Sequence, residues 1–362
     1  MQSIFKSHRP FLIAGPCSAE TEEQVLKTAH ALKEIPVDLF RAGIWKPRTR
    51  PGAFEGIGEE GLKWLQRVKN ETGLKTTVEV ANTNHLELAL KYEMDVLWIG
   101  ARTTVNPFLI QEIAEALRGV SIPVMIKNPV NPDLKLWMGA IERFQLAGIQ
   151  DIAAVHRGFT SFEKEKYRND PMWQIPIELK RIMPAIPLIC DPSHIGGKRE
   201  LLQVLAQKAM DLNFDGLMIE THPDPDQAWT DKAQQITPAE FKILLQNLVL
   251  REEHSDDVIF QKNITEMRSM IDQLDEKILR ILSERMKIAE QVGLFKKENN
   301  ITVFQLERWN EIVLTRSHWA DEHGLSPELI LRLWQLIHQE AIQLQMKVMN
   351  EPANNESVRI NE

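Results

Sequence analysis

Four side chains that can bind a metal ion stand at or just beyond the ends of short apolar runs. One of them is a histidine in the stretch DPSHIGG, which begins at residue 191 after the apolar run PLIC. The full set is Cys17, His194, Glu220 and Asp231. A thiolate, an imidazole and two carboxylates together suit a divalent first-row transition metal. Taken singly, a histidine in a turn or a buried cysteine more often serves structure. A metal site is therefore predicted only if the fold brings the four together.

Cations follow the same kind of apolar run at five places in the chain. They are Arg41, Lys46, Arg48, Arg102, Lys127 and Arg157. Any one of them could form an ordinary surface salt bridge, but an acidic chain has no solubility reason to gather all six at one edge of its fold. Arginine forks and lysine point charges suit a substrate that carries phosphate and carboxylate groups. We therefore expect a small anionic substrate.

The elements that must position these groups recur regularly over the first 250 residues. Eight short apolar runs alternate with segments of helical spacing; the runs are 10–16, 39–44, 75–80, 96–101, 123–128, 151–157, 187–193 and 216–221. Continuous apolar strands separated by helices are typical of a buried parallel sheet. Eight such units in this length predict a (β/α)₈ TIM barrel, an α/β fold whose active site lies at the carboxyl ends of the strands. A doubly wound open sheet is the alternative, because counting strands does not show closure.

Composition limits the partners and the compartment. The chain has 362 residues, a formal net charge of −8 and two cysteines, and its pI is about 5.8. Nucleic acid and anionic membrane are not expected as partners, because affinity for them rests on clustered positive charge. Two cysteines provide no disulfide framework, which fits a reducing cytoplasm. We expect Cys190 to be a core residue, although a disulfide with Cys17 on oxidation would disable the metal site.

A second, all-helical domain is predicted after the barrel. We assign residues 1–250 to the barrel, 251–263 to a charged linker, 264–350 to three helices and 351–362 to a disordered tail. The expected helices span 264–299, 304–322 and 326 to about 349. The third begins at a Ser-Pro pair, which is typical of a helix start. The first helix is so long that the three helices cannot bury all their apolar faces against one another. We therefore expect a homodimer formed through this domain.

The barrel segment resembles the 3-deoxy-D-arabino-heptulosonate-7-phosphate (DAHP) synthases, in the microbial branch shared with octulosonate-phosphate synthases. The motifs that carry the resemblance are GPCS, RAGIWKPRT, GART, IKNP, HRG, DPSHIGG and IETHPDP, in that order between residues 15 and 225. The resemblance implies the first step of the shikimate pathway, in which phosphoenolpyruvate condenses with erythrose 4-phosphate, and KPRT separates this reaction from that of the octulosonate enzymes.

The resemblance also implies roles for individual residues. A divalent metal ion, most often Mn²⁺, would be held by Cys17, His194, Glu220 and Asp231. Phosphoenolpyruvate would be bound by Arg41, Arg102, Lys127 and Arg157, and erythrose 4-phosphate by Lys46, Pro47, Arg48 and Thr49. Glu79 is a candidate for positioning water, and Lys127 for proton transfer. The barrel pattern starts near residue 4, so we expect no N-terminal regulatory extension and look for control elsewhere.

The helical segment resembles the all-helical chorismate mutases. Two stretches carry the resemblance, MRSMIDQLDEKILRILSERMKIAEQVGLFKK from residue 267 and LWQLIHQEAIQLQ from residue 333. It implies that Arg268, Arg285 and Arg308 bind the substrate carboxylates and that Lys296 and Gln345 meet the ether oxygen. It further implies that Arg268 acts on the partner chain. Three positions depart from the best-known relatives, where Trp309 replaces a glutamate that meets the substrate hydroxyl, Gln305 replaces an aspartate and Ala341 replaces a serine.

Two functions are open for the helical domain on this basis. It is either a working mutase or mainly a module for dimerisation that senses chorismate or prephenate and regulates the barrel. Both functions are compatible, because a ligand that prefers one arrangement of two tethered domains shifts their equilibrium. We expect prephenate or chorismate to inhibit the synthase reaction.

Overall fold

The computed structural model describes residues 3–46, 52, 54–161 and 166–351. The chain divides into two compact units, Met1–Glu253 and His254–Glu362. Pro47, Arg48 and Thr49, which the sequence assigns to erythrose 4-phosphate, lie outside the described residues, as does the expected tail from residue 352 onward.

The first unit is a closed barrel of eight parallel strands. The strands are β1 (Phe11–Gly15), β2 (Leu39–Arg41), β3 (Lys75–Val80), β4 (Val96–Ile99), β5 (Val124–Lys127), β6 (Ile152–His156), β7 (Leu188–Cys190) and β8 (Gly216–Glu220). Every predicted run forms its strand. Closure is direct, because β1 pairs with β2 in the register Ile13↔Leu39 and with β8 in the register Gly15↔Glu220. The TIM barrel is thus confirmed, and the open-sheet alternative is wrong.

Ten helices of the described part of the chain surround or cap the barrel. They are α1 (Glu22–Leu32), α2 (Glu59–Thr72), α3 (Thr83–Lys91), α4 (Ala101–Thr104), α5 (Pro107–Ala116), α6 (Leu134–Leu146), α7 (Gln174–Ile182), α8 (Pro192–Gly196), α9 (Leu202–Asp211) and α10 (Pro238–Gln246). Side chains of the expected type start several of them. Thr21 caps α1, and Thr237 forms a complete capping box with Glu240 at α10.

The strands bury both faces, which explains why their sequences are continuously apolar. One cluster fills the barrel interior and includes Leu39, Trp98, Met125, Ile189 and Met218. A larger cluster lies between the strands and the helices. Since side chains alternate along a strand, the residue two positions after each inward apolar residue also points inward. At the carboxyl end of the barrel four of those positions are charged and form a polar layer directly above the apolar interior: Arg41, Lys127, Asp191 and Glu220.

The second unit consists of three helices, α11 (Val258–Glu298), α12 (Leu306–Glu322) and α13 (Pro327–Asn350). The three predicted helices are present. The first begins six residues before the expected position, because the Asp257 side chain accepts from the backbone N–H groups of Ile259 and Phe260 and so caps the helix within the segment assigned to the linker. Ser326 caps α13, with Pro327 in its first turn.

The 41-residue helix α11 exposes a long apolar stripe. At 1.5 Å per residue it is about 60 Å long, whereas the 24 residues of α13 extend only about 36 Å. Apolar residues at helical spacing along its N-terminal half are more than half exposed: Met267, Ile271, Leu274, Ile278 and Ile281. The unit therefore leaves uncovered the face that was expected to be buried by a second copy. None of the described helices is long and apolar enough to span a membrane.

Candidate active sites

A thiol and two carboxylates converge at the carboxyl end of the barrel. Cys17 follows β1, Glu220 ends β8, and Asp231 lies in the loop beyond β8 with a left-handed backbone (φ 47°). One ligand atom from each lies within 4.8 Å of the others, and Cys17 Sγ is 3.4 Å from Asp231 Oδ2. Three of the four predicted metal-binding side chains are therefore brought together where the first and last strands of the barrel pair.

His194 lies beside this cluster, on the short helix α8 that follows β7. Its Nε2 is 3.7 Å from Glu220 Oε1, and its Nδ1 is 2.8 Å from Asp191 Oδ2. Asp191 also caps α8, since its side chain accepts from the His194 backbone N–H. A carboxylate on one imidazole nitrogen fixes the ring and leaves the other nitrogen to face a metal ion.

The donor set fits a divalent cation. Glu220 Oε1 is fully buried and accepts no hydrogen bond of good geometry from the described residues, although the Arg41 guanidinium lies beside it. Burial, and next the charge of Glu220, raise the pKa of the Cys17 thiol to about 12, although Lys46 acts in the opposite direction. A bound cation would supply the charge that a buried thiolate and two carboxylates require. The arrangement of Cys17, Glu220 and Asp231, with His194 beside them, is therefore compatible with a bound divalent cation.

Two buried ion pairs link the metal ligands to the predicted substrate cations. Arg41 Nη2 lies 3.1 Å from Glu220 Oε1, and Lys127 Nζ lies 2.9 Å from Asp191 Oδ2. All four side chains are 6% exposed or less. Both cations also face the Trp98 ring, at 5.0 Å for the Arg41 guanidinium and 5.8 Å for Lys127 Nζ. Arg41 Nε and Nη1 are buried without a partner among the described residues, so the guanidinium has unused donors for an anion.

Glu79 occupies the same inner layer on β3. Its Oε2 accepts a 2.9 Å hydrogen bond from the Trp98 indole, and the carboxylate is half-buried. Gly100 makes room for it, because a Cβ there would lie 2.1 Å from Glu79 Oε1. A carboxylate fixed by an indole on one oxygen can hold a water molecule with the other.

Three more of the predicted cations surround this layer. Lys46 Nζ donates to the backbone carbonyl and the thiol of Cys17, at 2.5 and 3.1 Å. Arg157 follows β6 and donates to Asn169 Oδ1. Burial, together with repulsion from Arg168 and Arg102, lowers the Arg157 pKa to about 10, although Asp191 acts in the opposite direction. Arg102 is exposed on α4. The crowding of like charges indicates a site that is completed by an anion.

Sequence reasoning did not assign three residues that the structure places in this site. Asp191 was visible at a strand end but has no metal-ligand spacing. Trp98 looked like an ordinary core residue, because it stands inside an apolar run. Arg168 lies in an irregular loop, and its Nη1 is 3.0 Å from Asp231 Oδ1. Although burial raises the pKa of Asp231, Arg168 and other cations bring it down to about 2.

A second candidate site lies within the helical unit. A cavity of about 420 Å³ is bounded by all three helices. Four of the predicted mutase residues line it: Arg285, Lys296, Arg308 and Gln345. Gly293 allows α11 to approach α13 closely there, because a Cβ would lie 3.1 Å from the Gln345 Cα. The helices thus bring together residues up to 60 positions apart in sequence.

The cavity is cationic and contains unused donors and acceptors. Of the described residues that line it, none is acidic, and Arg316 adds a cation that the resemblance does not assign. Arg285 Nη1, Arg316 Nε and Gln345 Oε1 are buried without a partner among the described residues. Burial lowers the Arg285 pKa, and Arg316 and Arg308 lower it further. An anionic ligand would relieve this repulsion.

Arg268 does not line the cavity. It lies 17 residues before Arg285 on the same helix, a separation of about 25 Å along the axis. No rotamer of an arginine covers that distance. If Arg268 binds the substrate, it must do so in another copy of the chain.

The three departures from the mutase pattern occupy different places. Gln305 and Ala341 line the cavity, whereas Trp309 is absent from its described lining. The Trp309 ring instead stacks on His338 of α13, with ring centroids 4.3 Å apart and planes at 28°. His338 lines the cavity.

Comparison with known proteins gives a family match for each of the two units. The model of the DAHP synthetase I family matches residues 3–253, and that of chorismate mutase type II matches residues 267–346. A phospho-2-dehydro-3-deoxyheptonate aldolase of Thermotoga maritima is 32% identical over 237 residues, which cover 66% of this chain and 68% of the relative. A 2-dehydro-3-deoxyphosphooctonate aldolase of Caulobacter vibrioides is 32% identical over 257 residues, 66% of this chain and 86% of the relative.

Solved structures share the barrel. The crystal structure of the Thermotoga maritima DAHP synthase matches this chain with a TM-score of 0.60 and 30% sequence identity. The match covers 73% of this chain and 70% of the synthase chain. A truncated form of the 3-deoxy-D-arabino-heptulosonate 7-phosphate synthase of that organism has a TM-score of 0.57 and 28% identity, and covers 73% and 87% of the two chains.

Proposed function

Because the chain belongs to the DAHP synthetase I family and carries a chorismate mutase type II domain, we propose that it holds two active sites that serve two reactions. The barrel condenses phosphoenolpyruvate with erythrose 4-phosphate to give DAHP and phosphate. The helical domain rearranges chorismate to prephenate. The observation that carries the first assignment is the convergence of buried cations and metal donors at one end of the barrel.

In the barrel, the cations bind phosphoenolpyruvate. Arg102 and Arg157 suit the phosphate, and Arg41 and Lys127 the buried carboxylate, because charge-assisted bonds are strong in a site with little water. Lys46, Pro47, Arg48 and Thr49 bind erythrose 4-phosphate. The divalent metal, when bound by Cys17, His194, Glu220 and Asp231, supplies Lewis acidity for the aldehyde.

The reaction then needs two proton-handling groups. The C3 carbon of phosphoenolpyruvate attacks the aldehyde carbon, and Lys127 donates a proton to the aldehyde oxygen as the carbon–carbon bond forms. Glu79 orients a water molecule and accepts its proton as the water oxygen adds at C2. The bond between C2 and the phosphate oxygen then breaks, phosphate leaves with the bonding electrons, and the new hydroxyl loses its proton to give the C2 ketone. Asp191 forms an ion pair with Lys127 and holds the ammonium in place.

The relatives include both heptonate and octonate aldolases, so the aldose is the sharpest test of this assignment. Phosphate release from phosphoenolpyruvate is measured with erythrose 4-phosphate and with arabinose 5-phosphate, each with a divalent metal. We expect at least tenfold higher kcat/KM with erythrose 4-phosphate. Preference for arabinose 5-phosphate would refute it.

In the helical domain, the cavity binds a dicarboxylate. Chorismate rearranges within one molecule and needs no nucleophile, so cations for its carboxylates and donors at its ether oxygen are sufficient. Arg285 and Arg308 bind the carboxylates, and Lys296 and Gln345 meet the ether oxygen. The cationic cavity with buried unpaired donors carries this assignment.

A homodimer completes the mutase site. Arg268 is about 25 Å along α11 from its own cavity, and the exposed apolar stripe of α11 provides the contact surface. Arg268→Ala and Lys296→Ala proteins are each inactive alone in this account. A mixed dimer contains one chain of each variant, so one of its two sites has both an intact Arg268 and an intact Lys296. Mutase activity should therefore rise when the two proteins are mixed. Absence of recovery in confirmed mixed dimers would count against shared sites.

The remaining assignments concern metal, location and control. We propose Mn²⁺ as the native ion and a cytoplasmic location, without nucleic acid or membrane as partner. We further propose that prephenate or chorismate inhibits the synthase reaction, with a second function of the helical domain as a sensor. An unchanged synthase rate at saturating prephenate and at saturating chorismate would refute this regulation.

A further inference from the structure

The mutase cavity contains an imidazole to which the resemblance gives no role. His338 lies on α13, one turn before Ala341 and two turns before Gln345, so the three residues share one face of the helix. All three line the cavity. The His338 ring stacks on Trp309 of α12. It also meets the Phe304 ring edge-on, and the centroids of these two rings are 6.2 Å apart. Contacts on two sides hold the ring at the cavity wall.

His338 contacts Trp309, one of the three positions that depart from the mutase pattern. The resemblance to the all-helical mutases implies that Trp309 stands at the position of a glutamate that meets the substrate hydroxyl, but the indole itself lies outside the described lining of the cavity. The group that it positions is polar and faces the cavity. On the basis of the proposed mutase function, we propose that His338 recognises the ring hydroxyl of chorismate and that Trp309 is its positioning residue.

The chemistry of the imidazole suits this role. A neutral imidazole has one donor and one acceptor, so it can hydrogen-bond a hydroxyl in either direction. Burial lowers the pKa of His338, and Arg285 and Lys296 lower it further. The ring is therefore neutral near pH 7 and adds no further charge to a cavity that already gathers four cations.

The experiment compares two substrates in matched variants. One substrate is chorismate, and the other is an analogue in which hydrogen replaces the ring hydroxyl. We expect His338→Leu to lower kcat/KM about fivefold for chorismate, the worth of one neutral hydrogen bond, and to leave the value for the analogue unchanged. Trp309→Ala gives the same pattern, because it releases the ring. His338→Asn retains part of the chorismate activity.

The control is His318→Leu, which removes an exposed histidine of α12 that pairs with Glu322 and should change neither value. An equal loss with both substrates in His338→Leu would mean that the imidazole only fills space, and would overturn this assignment while leaving the mutase function intact. A wild-type chain that neither converts nor binds chorismate would overturn the mutase function and this assignment with it.

Discussion

Asp191→Asn should destabilise the barrel far more than the same change at an exposed helix cap. Asp191 is fully buried, 2.9 Å from Lys127 Nζ and 2.8 Å from His194 Nδ1. The lysine side chain is only 6% exposed, so the substitution leaves a buried ammonium without its counter-charge. Breaking such a pair costs about 3–5 kcal/mol.

We place the expected loss near the lower end of that range, at about 3 kcal/mol in the free energy of unfolding of the barrel. Asparagine retains the cap, because its side-chain oxygen can still accept from the His194 backbone N–H, a 3.1 Å bond in the wild type. For a unit of this size the loss corresponds to a fall in Tm of about 6–12 °C.

The matched control is Asp133→Asn. Asp133 caps α6 in the same way, accepting from the Leu136 backbone N–H at 2.9 Å, but it is exposed. Since aspartate and asparagine cap helices equally well, its stability should change by less than about 0.5 kcal/mol. Guanidinium unfolding is followed by tryptophan fluorescence, with chelator present so that no metal contributes. Equal midpoints for the two variants would refute the argument that Asp191 compensates Lys127.

Three further predictions concern metal binding, pH and charge crowding. Cys17→Ser should weaken Mn²⁺ binding at least tenfold, as measured by titration calorimetry. The control Cys190→Ser, which alters a buried thiol of β7, should bind Mn²⁺ with the wild-type affinity. Equal Mn²⁺ affinities of the two variants would remove Cys17 from the metal site. Burial and the neighbouring Arg157 lower the pKa of His156 to about 3, below the 6.5 of the unfolded chain. The free energy of unfolding therefore falls as the pH drops from 6.5 towards 3. In urea titrations, His156→Asn should reduce the slope of this free energy against pH, between pH 6 and 5, by about 1 kcal/mol per pH unit. An unchanged slope would contradict this. Arg316→Gln should relieve repulsion in the mutase cavity and stabilise the helical unit by about 0.5 kcal/mol, a value kept small because water screens the charge, while raising the KM for chorismate. A lower melting temperature would show that the contacts of Arg316 with Trp319 and Thr315 outweigh the repulsion.

The strands and the site residues at their ends were predictable because burial on both faces makes the runs continuously apolar and parallel strands end at one edge. Closure of the barrel was not, since it depends on the pairing of β1 with β8, which no local pattern encodes. The interior role of Trp98 was equally hidden, because an indole in an apolar run looks like core until Glu79 and two cations are found around it.

The helical unit shows the same division. Its three helices follow from spacing and caps, but the cap at Asp257 extends α11 into the expected linker. The replacement of a glutamate by Trp309 looked like a simple loss of a hydrogen-bonding group. Only the contact between α12 and α13 shows that Trp309 packs against His338 at the cavity wall.

The central claim is that one chain carries two separate active sites, and both reactions should therefore be measured on the same purified protein. DAHP formation and chorismate loss are recorded for the wild type, for Glu220→Gln and for Lys296→Ala. We predict that Glu220→Gln abolishes DAHP formation and retains chorismate turnover, and that Lys296→Ala does the reverse. Loss of both reactions in either folded variant, or no chorismate turnover in the wild type, would contradict two independent sites.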